Sequence, residues 1–215
     1  MMNKMEELLI RYPSLVFCKE DLLDALKLML ETYENGGKIM VCGNGGSCAD
    51  AQHIVGELMK GFLLRRPMTA EQKNTFETAL GAEDAENFAS RMQRGIPAMA
   101  LDGATGLLTA YANDVDADYI YAQQVFACAQ KNDLLIGIST SGNSKNVVNA
   151  MKAAKAMGVK SIALTGAKES KSSTFATVAI RVPETETFKV QELHLPVYHY
   201  LCAEMEERIF GADEN

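Results

Sequence analysis

The stretch KIMVCGNGGSCADAQHIVGE, residues 38–57, decides the fold of this chain. Its first five residues, 38–42, form a short apolar run typical of a buried strand, and the Gly-rich turn that follows opens a helical pattern. In such a strand–loop–helix unit, backbone N–H groups at the helix N-terminus bind an anion, usually a phosphate. The helix carries His53 and Glu57, which lie four residues apart and therefore on one face. Such a pair can bind a metal ion or move a proton.

A second unit of the same kind follows the apolar run 133–138, where the chain continues STSGNS from Ser139 to Ser144. This loop supplies four hydroxyl groups and no charged group, which suits a phosphomonoester. Four hydroxyls in six residues exceed what the capping of a helix requires. A phosphate-binding loop together with an acid–base or metal pair indicates an enzyme that acts on a phosphorylated small molecule.

Composition argues against several other classes of function. The 215 residues carry a formal net charge of −7 with a pI near 5.1, so no overall positive field attracts nucleic acid. Lys60, Arg65 and Arg66 lie close together and form either a local basic patch or a solvated helix end, and we favour the helix end. No apolar run approaches the roughly 20 residues of a membrane span, and the N-terminus lacks a signal-peptide pattern. Five scattered cysteines show no disulfide or metal-binding spacing, so we expect a cytoplasmic protein with reduced thiols.

Short apolar strands alternate with helical patterns along the chain. Strands are predicted at 38–42, 96–101, 133–138, 159–164 and 176–182, and helices at 19–35, 47–60, 105–112, 119–130, 144–157 and 187–210. This alternation predicts an α/β fold in which helices cover both faces of one five-stranded parallel sheet. We expect a single domain, 1–215, with N-terminal helices in 1–36. Ligands gather at the carboxyl ends of such strands, so both loops are expected to line one pocket.

Residues 67–94 interrupt the alternation of strands and helices with a polar, charged and helix-prone segment. It begins with Thr69-Ala-Glu-Gln72, the pattern of a capping box, and lacks strand signals. Its length separates the helix of His53 from the next strand by an unusual distance along the chain. The segment is either a lid over the pocket or a surface helical hairpin that contacts a neighbouring subunit, and we favour the hairpin.

Four motifs, in this order, resemble the sugar isomerase (SIS) domain family and, within it, the phosphoheptose isomerases. They are GNGGSCADAQHIVGE at 43–57, Asn113-Asp114, LLIGISTSGNS at 134–144 and VQELHLPVYH at 190–199. The resemblance covers nearly the whole chain outside the 67–94 insertion. It implies a flavodoxin-like three-layer sandwich and a homotetramer with pockets between subunits. The apolar faces of the helices at 19–35 and 187–210 also favour burial between subunits.

The resemblance implies specific roles for residues of this chain. It assigns Glu57 and His199 to catalysis and a zinc ion to four ligands: His53, Glu57, Gln191 and His199. It assigns the substrate to residues on three loops and two helices: Asn44, Gly45, Gly46, Ser47, Glu57, Asn113, Asp114, Ser139, Thr140, Ser141, Ser144 and Gln191. His194 has no matched role and is interpreted as structural. Which subunit supplies His199 to each pocket stays open.

The chemistry of an aldose–ketose isomerase agrees with these roles. The reaction needs a base beside the carbonyl, an acid for its oxygen, and stabilisation of an enediolate. Glu57 is the natural base and His199 its partner, while zinc can polarise the carbonyl. Because a carboxylate bound tightly to Zn²⁺ is a poorer base, we favour Glu57 as base with the metal bound weakly or mainly without substrate. The expected reaction converts sedoheptulose 7-phosphate to D-glycero-D-manno-heptose 7-phosphate through an enediol.

Two other functions stay open at this point. Some SIS-domain proteins are non-catalytic and bind the replication initiator, but they look to have lost the residues that match Glu57 and His199. This chain retains both residues, which favours the enzyme. The second alternative is an isomerase or lyase for another sugar phosphate, because Cys48, Pro196 and the insertion depart from the commonest family pattern.

Overall fold

The computed structural model describes residues 3–211, and within them it contains one sheet of five parallel strands. The strands are β1 Ile39–Gly43, β2 Ala98–Ala100, β3 Leu134–Ile138, β4 Lys160–Thr165 and β5 Val178–Arg181. Their order across the sheet is β2-β1-β3-β4-β5, and every neighbouring pair is parallel. This is the flavodoxin-like order, and the predicted α/β fold class is confirmed.

The helices agree with the predicted pattern to within a few residues and add elements that were not predicted. The α-helices are α1 Lys4–Arg11, α2 Lys19–Glu34, α3 Gly46–Met59, α4 Ala70–Leu80, α5 Ala82–Ala89, α6 Thr105–Tyr111, α7 Ile120–Cys128, α8 Lys145–Ala156, α9 Lys171–Phe175 and α10 Thr187–Phe210. A 3-10 helix at Pro13–Cys18 joins α1 to α2, and a π-helical turn at Ala112–Asp116 follows α6. The helix α9 and these two turns are too short to give a periodic signal.

The sheet separates two apolar cores, as the alternation of side chains along a strand requires. In β1, Ile39 and Val41 pack with α2, α3 and α10 on one face. Met40 and Cys42 pack with α7 and α8 on the other face. The result is a three-layer arrangement in which α3 and α10 lie side by side on the same face of the sheet.

The apolar faces of α2 and α10 are mostly covered within the chain, with Leu23, Phe188 and Leu195 left exposed, which corrects one expectation. Leu22, Leu26 and Met29 of α2 are buried, and α10 buries thirteen of its residues. Both helices lie in the same core and pack against each other. Burial between subunits is therefore not needed to explain these faces, because the N-terminal segment and the sheet together supply enough surface.

The insertion is a helical hairpin formed by α4 and α5. The predicted capping box is present, with the Thr69 side chain accepting from the Gln72 backbone N–H and the Gln72 side chain accepting from the Thr69 N–H. Phe76 and Phe88 hold the two helices together with ring centroids 5.2 Å apart. Its contact with a neighbouring subunit stays a prediction.

Arg66 is not on a solvated helix end, contrary to the interpretation of the basic cluster. Its side chain is completely buried and its Nε lies 2.7 Å from Glu206 Oε1 of α10. The guanidinium also donates to the backbone carbonyls of Leu58 and Glu57 at the end of α3.

Between residues 3 and 211, no helix combines the length and apolar character needed to cross a bilayer.

Candidate active site

The two sequence motifs meet at the carboxyl edge of the sheet, as predicted. Gly43 at the end of β1 is in register with Ile138 at the end of β3, so Asn44 and Ser139 emerge side by side. Asn44 is bound to Asn146 in α8 through a pair of reciprocal amide hydrogen bonds of 2.8 and 2.9 Å. The two loops therefore form one continuous rim at the point where the strand order reverses, which is where open α/β sheets bind ligands.

Tyr121 of α7 supports this rim from the opposite face of the sheet. Its hydroxyl donates to the Gly43 carbonyl at 2.6 Å, and its ring is buried in the core beneath the loop. Sequence reasoning missed both Tyr121 and Asn146. The position of Asn146 two residues after the STSGNS motif was the available signal, whereas Tyr121 lies far from either motif.

The loop from Ser139 to Ser144 folds so that two of its hydroxyl groups face each other. The hydroxyls of Ser139 and Ser144 lie 3.0 Å apart across it. The turn is closed by the Gly142 N–H donating to the Ser139 carbonyl, and Gly142 has a φ of +64° that favours glycine. Ser144 stands at the N-cap of α8 without making a side-chain cap bond. The hydroxyl of the N-cap residue is thus turned into the loop instead of onto its own helix.

The hydroxyl-bearing residues of the loop differ in their exposure. Ser139 is buried, Thr140 and Ser144 are half-buried, and Ser141 is exposed. The Ser141 hydroxyl accepts a hydrogen bond from the Asn143 N–H at 3.2 Å and can still donate its own proton outward. The four predicted phosphate contacts are therefore together in one loop, and their role stays a prediction.

The Gly-rich loop of residues 44–47 packs against the start of α10. A Cβ on Gly46 would lie 2.5 Å from Gln191 Nε2, so a larger residue would displace the end of the Gln191 side chain. Gly45 has a φ of +57°, and Ser47 is buried behind the loop. Gln191 is thus placed beside this Gly-rich loop, about two helical turns before His199 of the same motif.

His53, Glu57 and His199 form a contiguous acid–base cluster further along α3 and α10. His53 Nε2 lies 3.2 Å from Glu57 Oε1 and 3.5 Å from His199 Nε2. Glu57 is largely buried, with 13% of its side chain exposed, while Lys60 donates to its other carboxylate oxygen at 2.9 Å. Burial, reinforced by the neighbouring His53, lowers the pKa of His199. All three predicted residues lie on one chain, where His53 contacts both the Glu57 carboxylate and the His199 ring.

Two residues outside the prediction extend this cluster. The hydroxyl of Tyr198 lies 3.1 Å from His53 Nδ1 and donates to Asp50 Oδ1 at 3.1 Å. Tyr198 is buried, and burial followed by the nearby Asp50 raises the pKa of its hydroxyl. Burial also raises the pKa of Asp50, against the lowering effects of Tyr198 and His53. The signal for Asp50 was its position three residues before His53 on the same helix face.

Asn113 and Asp114 lie on the exposed π-helical turn after α6. Their side chains contact each other, with Asn113 Nδ2 donating to Asp114 Oδ1 at 2.8 Å. Neither is buried in the chain. Their predicted contact with substrate stays a prediction.

The zinc prediction receives only partial geometric support. The separations of 3.2 and 3.5 Å around His53 Nε2 are near the roughly 3.3 Å between donor atoms of a tetrahedral site with zinc bonds of about 2.0–2.1 Å. However, Gln191 lies against Gly46 instead of beside this cluster. Among residues 3–211, no group of three or more His, Cys, Asp or Glu side chains is arranged to hold a metal ion. The side chains as they stand do not form a zinc site, so no catalytic step below depends on zinc.

The doubly wound sheet and its hydroxyl-rich loop agree with the family model of SIS domains, which matches residues 18–94 and 76–166. The chain is 39% identical to the phosphoheptose isomerase of Helicobacter pylori strain Shi470, over 88% of this chain and 84% of that protein. It is 40% identical to the phosphoheptose isomerase of Aliarcobacter butzleri, over 86% of this chain and 83% of that protein. It also resembles the structure of the phosphoheptose isomerase from Neisseria gonorrhoeae, with a TM-score of 0.68 and 33% identity over 93% of this chain and 98% of that one.

The chain therefore belongs to the phosphoheptose isomerase family of SIS-domain proteins.

Proposed function

We propose that the protein is an aldose–ketose isomerase that converts sedoheptulose 7-phosphate to D-glycero-D-manno-heptose 7-phosphate. The observation that carries this proposal is the cluster of Glu57, His53 and His199 on the same sheet face as the Gly-rich loop. The names of the relatives support it, since each is a phosphoheptose isomerase. Phosphate binding and proton transfer are the two capacities that such a reaction requires.

The reaction uses Glu57 as the base. Its carboxylate takes a proton from the carbon next to the carbonyl group, and His199 donates a proton to the carbonyl oxygen, which gives the enediol. Return of a proton from Glu57 to the neighbouring carbon, with His199 taking the hydroxyl proton, completes the change between ketose and aldose. An imidazole can both accept and donate a proton, which suits His199 to this role.

A non-catalytic binding function fits the cluster less well. A protein that only recognises a partner has no need of a largely buried carboxylate in contact with a histidine and a lysine. Burying charged groups is costly unless they are paired, so such clusters are common where chemistry is carried out.

Zinc remains a separate proposal that comes from the family resemblance. We propose that zinc binds weakly through His53, Glu57 and His199 once these side chains rearrange, with Gln191 turning away from Gly46 to become the fourth ligand. Metal content after purification, measured before and after treatment with a chelator, tests it together with the isomerase rate. If the metal-free protein isomerises the sugar at the same rate, catalysis uses the side chains alone and zinc is not needed.

The assembly into a tetramer is also a proposal. An open cavity of about 480 Å³ lies between α1 and α10 and reaches His199. Large apolar side chains around it and along the N-terminal segment are exposed, among them Ile10, Phe17, Leu63 and Leu195. Such side chains suit an interface between subunits.

A cytoplasmic location is a further proposal. The five cysteines are all unpaired, which supports a reducing compartment.

An NMR assay with a panel of ketose phosphates of five to seven carbons tests the function. We expect turnover with sedoheptulose 7-phosphate and exchange of one carbon-bound proton with solvent. Preference for a pentose or hexose phosphate would identify a different sugar-phosphate isomerase, and tight binding without turnover of any sugar would contradict the enzyme.

A further inference from the structure

The segment that follows β4 forms one wall of the hydroxyl-rich loop of residues 139–144. The Gly166 N–H donates to the Thr140 carbonyl at 3.0 Å. Six residues later, the Ser172 N–H donates to the Gly142 carbonyl, also at 3.0 Å. The wall thus runs from Gly166 to Ser172 and is joined to the loop by backbone hydrogen bonds at both of its ends.

Lys171 of this wall is connected to the loop through Asn143. The Lys171 backbone N–H donates to Asn143 Oδ1 at 3.1 Å, and Asn143 Nδ2 donates to the Ser141 carbonyl at 2.8 Å. A single side chain therefore joins the backbone of Lys171 to the residue whose hydroxyl is exposed in the loop. Because the four-carbon stem of a lysine is flexible, its ammonium can reach an anion held over the Ser141 hydroxyl.

The charges near the loop run against the charge of the whole chain. A phosphate monoester is nearly a dianion at pH 7, and a chain with a net charge of −7 repels it on average. Residues 145–171 are the exception, since they contain six lysines and one acidic residue, Glu169. Glu169 pairs with Arg181 of β5 at 3.9 Å, so its charge is shared with a residue outside the wall.

Two of these lysines are directly connected to the loop, and they differ in their partners. Lys145 follows Ser144 in the chain, and its ammonium pairs with Asp118 at 3.2 Å. Lys171 is exposed, and among residues 3–211 no acidic side chain pairs with its ammonium. The positive charge of Lys171 is therefore available to an anion in the loop.

We propose that Lys171 is a specificity-determining residue that recognises the charge of the substrate phosphate in the hydroxyl-rich loop. Its ammonium adds a full positive charge to a site otherwise built from hydroxyl and backbone N–H groups. This charge attracts the dianion during its approach and favours phosphorylated sugars over neutral ones. The role rests on the proposed function, because it requires that the loop binds the phosphate group.

Binding of inorganic phosphate to the full chain, followed by ³¹P NMR at low ionic strength, tests this charge without turnover. Lys171→Gln should raise the Kd for phosphate by about 3- to 10-fold, because an exposed charge pair interacts weakly in water. Lys171→Arg keeps the charge and should stay within about twofold of wild type, whereas Lys171→Glu should bind more weakly than Lys171→Gln. A purely structural side chain would not follow this order, so Kd values that do not follow it would overturn the proposal.

Lys160→Gln is the matched control for the loss of one positive charge. Lys160 is also exposed, but it begins β4 at the opposite edge of the sheet. The rise of a strand places it about 16 Å from Thr165, the last residue of β4. Lys160→Gln should change the Kd for phosphate by less than about twofold. An equal loss in both variants would assign the effect to the net charge of the chain and overturn the proposal.

Two further measurements locate the bound anion and identify the interaction as electrostatic. Ser141→Ala should weaken the same phosphate binding, and an unchanged Kd in this variant would place the anion outside the loop and count against the proposal. At about 1 M salt the Debye length is only about 3 Å, so wild type and Lys171→Gln should bind phosphate equally. A difference that persists at high salt would contradict recognition by charge.

Steady-state kinetics extend the test to the reaction. Lys171→Gln should raise KM for sedoheptulose 7-phosphate by about 3- to 10-fold and leave kcat within about twofold, because it removes binding that substrate and transition state share. A fall in kcat with an unchanged KM would overturn the proposal. A wild type that binds phosphate in the loop but isomerises no sugar phosphate would contradict the proposed function alone. An active wild type whose Lys171→Gln variant binds phosphate equally well would contradict the role of Lys171 alone.

Discussion

Arg66 and Glu206 form an ion pair whose two side chains are completely buried, with Arg66 Nε 2.7 Å from Glu206 Oε1. Glu206 also accepts from the backbone N–H groups of Phe62, Leu63 and Leu64, so its oxygens are fully used. Burial tends to raise the pKa of Glu206, but these hydrogen bonds and Arg66 hold it below its usual range. The pair fastens the segment after α3 to α10, directly below the backbone of Glu57.

Removing one member of this pair should strongly destabilise the protein. Arg66→Met leaves a buried carboxylate without its counter-charge, and the expected loss in the free energy of unfolding is about 3–5 kcal/mol. Urea unfolding measures it, with Arg181→Met as a control because Arg181 is exposed. The double variant Arg66→Met with Glu206→Leu should recover part of the loss. A single variant as stable as wild type would show that water reaches Glu206.

The phosphate loop can be tested at its exposed hydroxyl. Ser141→Ala should weaken sugar-phosphate binding by about 1.5–3 kcal/mol, the value of a hydrogen bond to a charged group, which is roughly 10- to 150-fold in Kd. Calorimetry in a Glu57→Gln background measures binding without turnover. Ser90→Ala, on the helical hairpin, is the matched control. Equal affinities for both variants would remove Ser141 from the site.

The base can be tested by a change that preserves shape. Glu57→Gln keeps the size of the side chain but removes the basic oxygen, so turnover should fall by roughly 10²–10⁴ or more. Proton exchange at the reacting carbons, followed by NMR in D₂O, should fall equally while sugar-phosphate binding persists. Glu31→Gln on the surface of α2 should be silent. Exchange at the wild-type rate would place the base elsewhere.

Mixed oligomers test whether one chain supplies both catalytic groups. Since His53 contacts Glu57 and His199 of the same chain, refolding Glu57→Gln together with His199→Asn should give no activity beyond the sum of the parents. Native mass spectrometry must confirm that mixed oligomers form. Recovered activity would mean that each pocket is shared between subunits, and a monomer in light scattering would contradict the proposed assembly.

His194 should make the fold sensitive to mild acid. It is completely buried, and burial lowers its pKa to about 4 from 6.5. The unfolded chain therefore binds this proton first, and stability is lost as the pH falls from about 6.5 towards about 4. Between pH 7 and pH 5 the loss from His194 is about 2 kcal/mol. Urea unfolding of His194→Leu should show a loss smaller by that amount, and an identical loss would mean that His194 does not contribute.

The strands and loops could be predicted because their signals are local. Runs such as 38–42 and 133–138 are continuously apolar because each strand is buried on both faces, and the Gly-rich and Ser-rich turns need their residue types for backbone reasons. The burial of Arg66 could not be predicted, since it depends on Glu206, which lies 140 residues further along the chain. In the sequence alone, Arg66 beside Arg65 is typical of an exposed basic segment, because the buried partner Glu206 is far away in the chain.

The three main residues of the acid–base cluster were predicted, but the hydrogen bonds that join them to Tyr198 and Asp50 were not. His53 and Glu57 share a helix turn, and the resemblance supplied His199 and Gln191. Tyr198 was missed because a tyrosine in an apolar helix is ordinarily part of the core, and its hydrogen bonds cross to a helix more than 140 residues earlier. Gln191 was grouped with His199 in one motif, yet the length of α10 places it beside Gly46.

The helical hairpin joins the rest of the fold through a narrow neck, where the Arg94 N–H donates to the Arg66 carbonyl at 2.7 Å. The chain thus leaves the fold and returns to it at nearly one point, and the strand that follows does not depend on what lies between. This makes the insertion a replaceable module. A short linker in place of residues 69–91 should leave the sheet intact, and the same neck offers a position where a reporter domain can be inserted with little effect on folding.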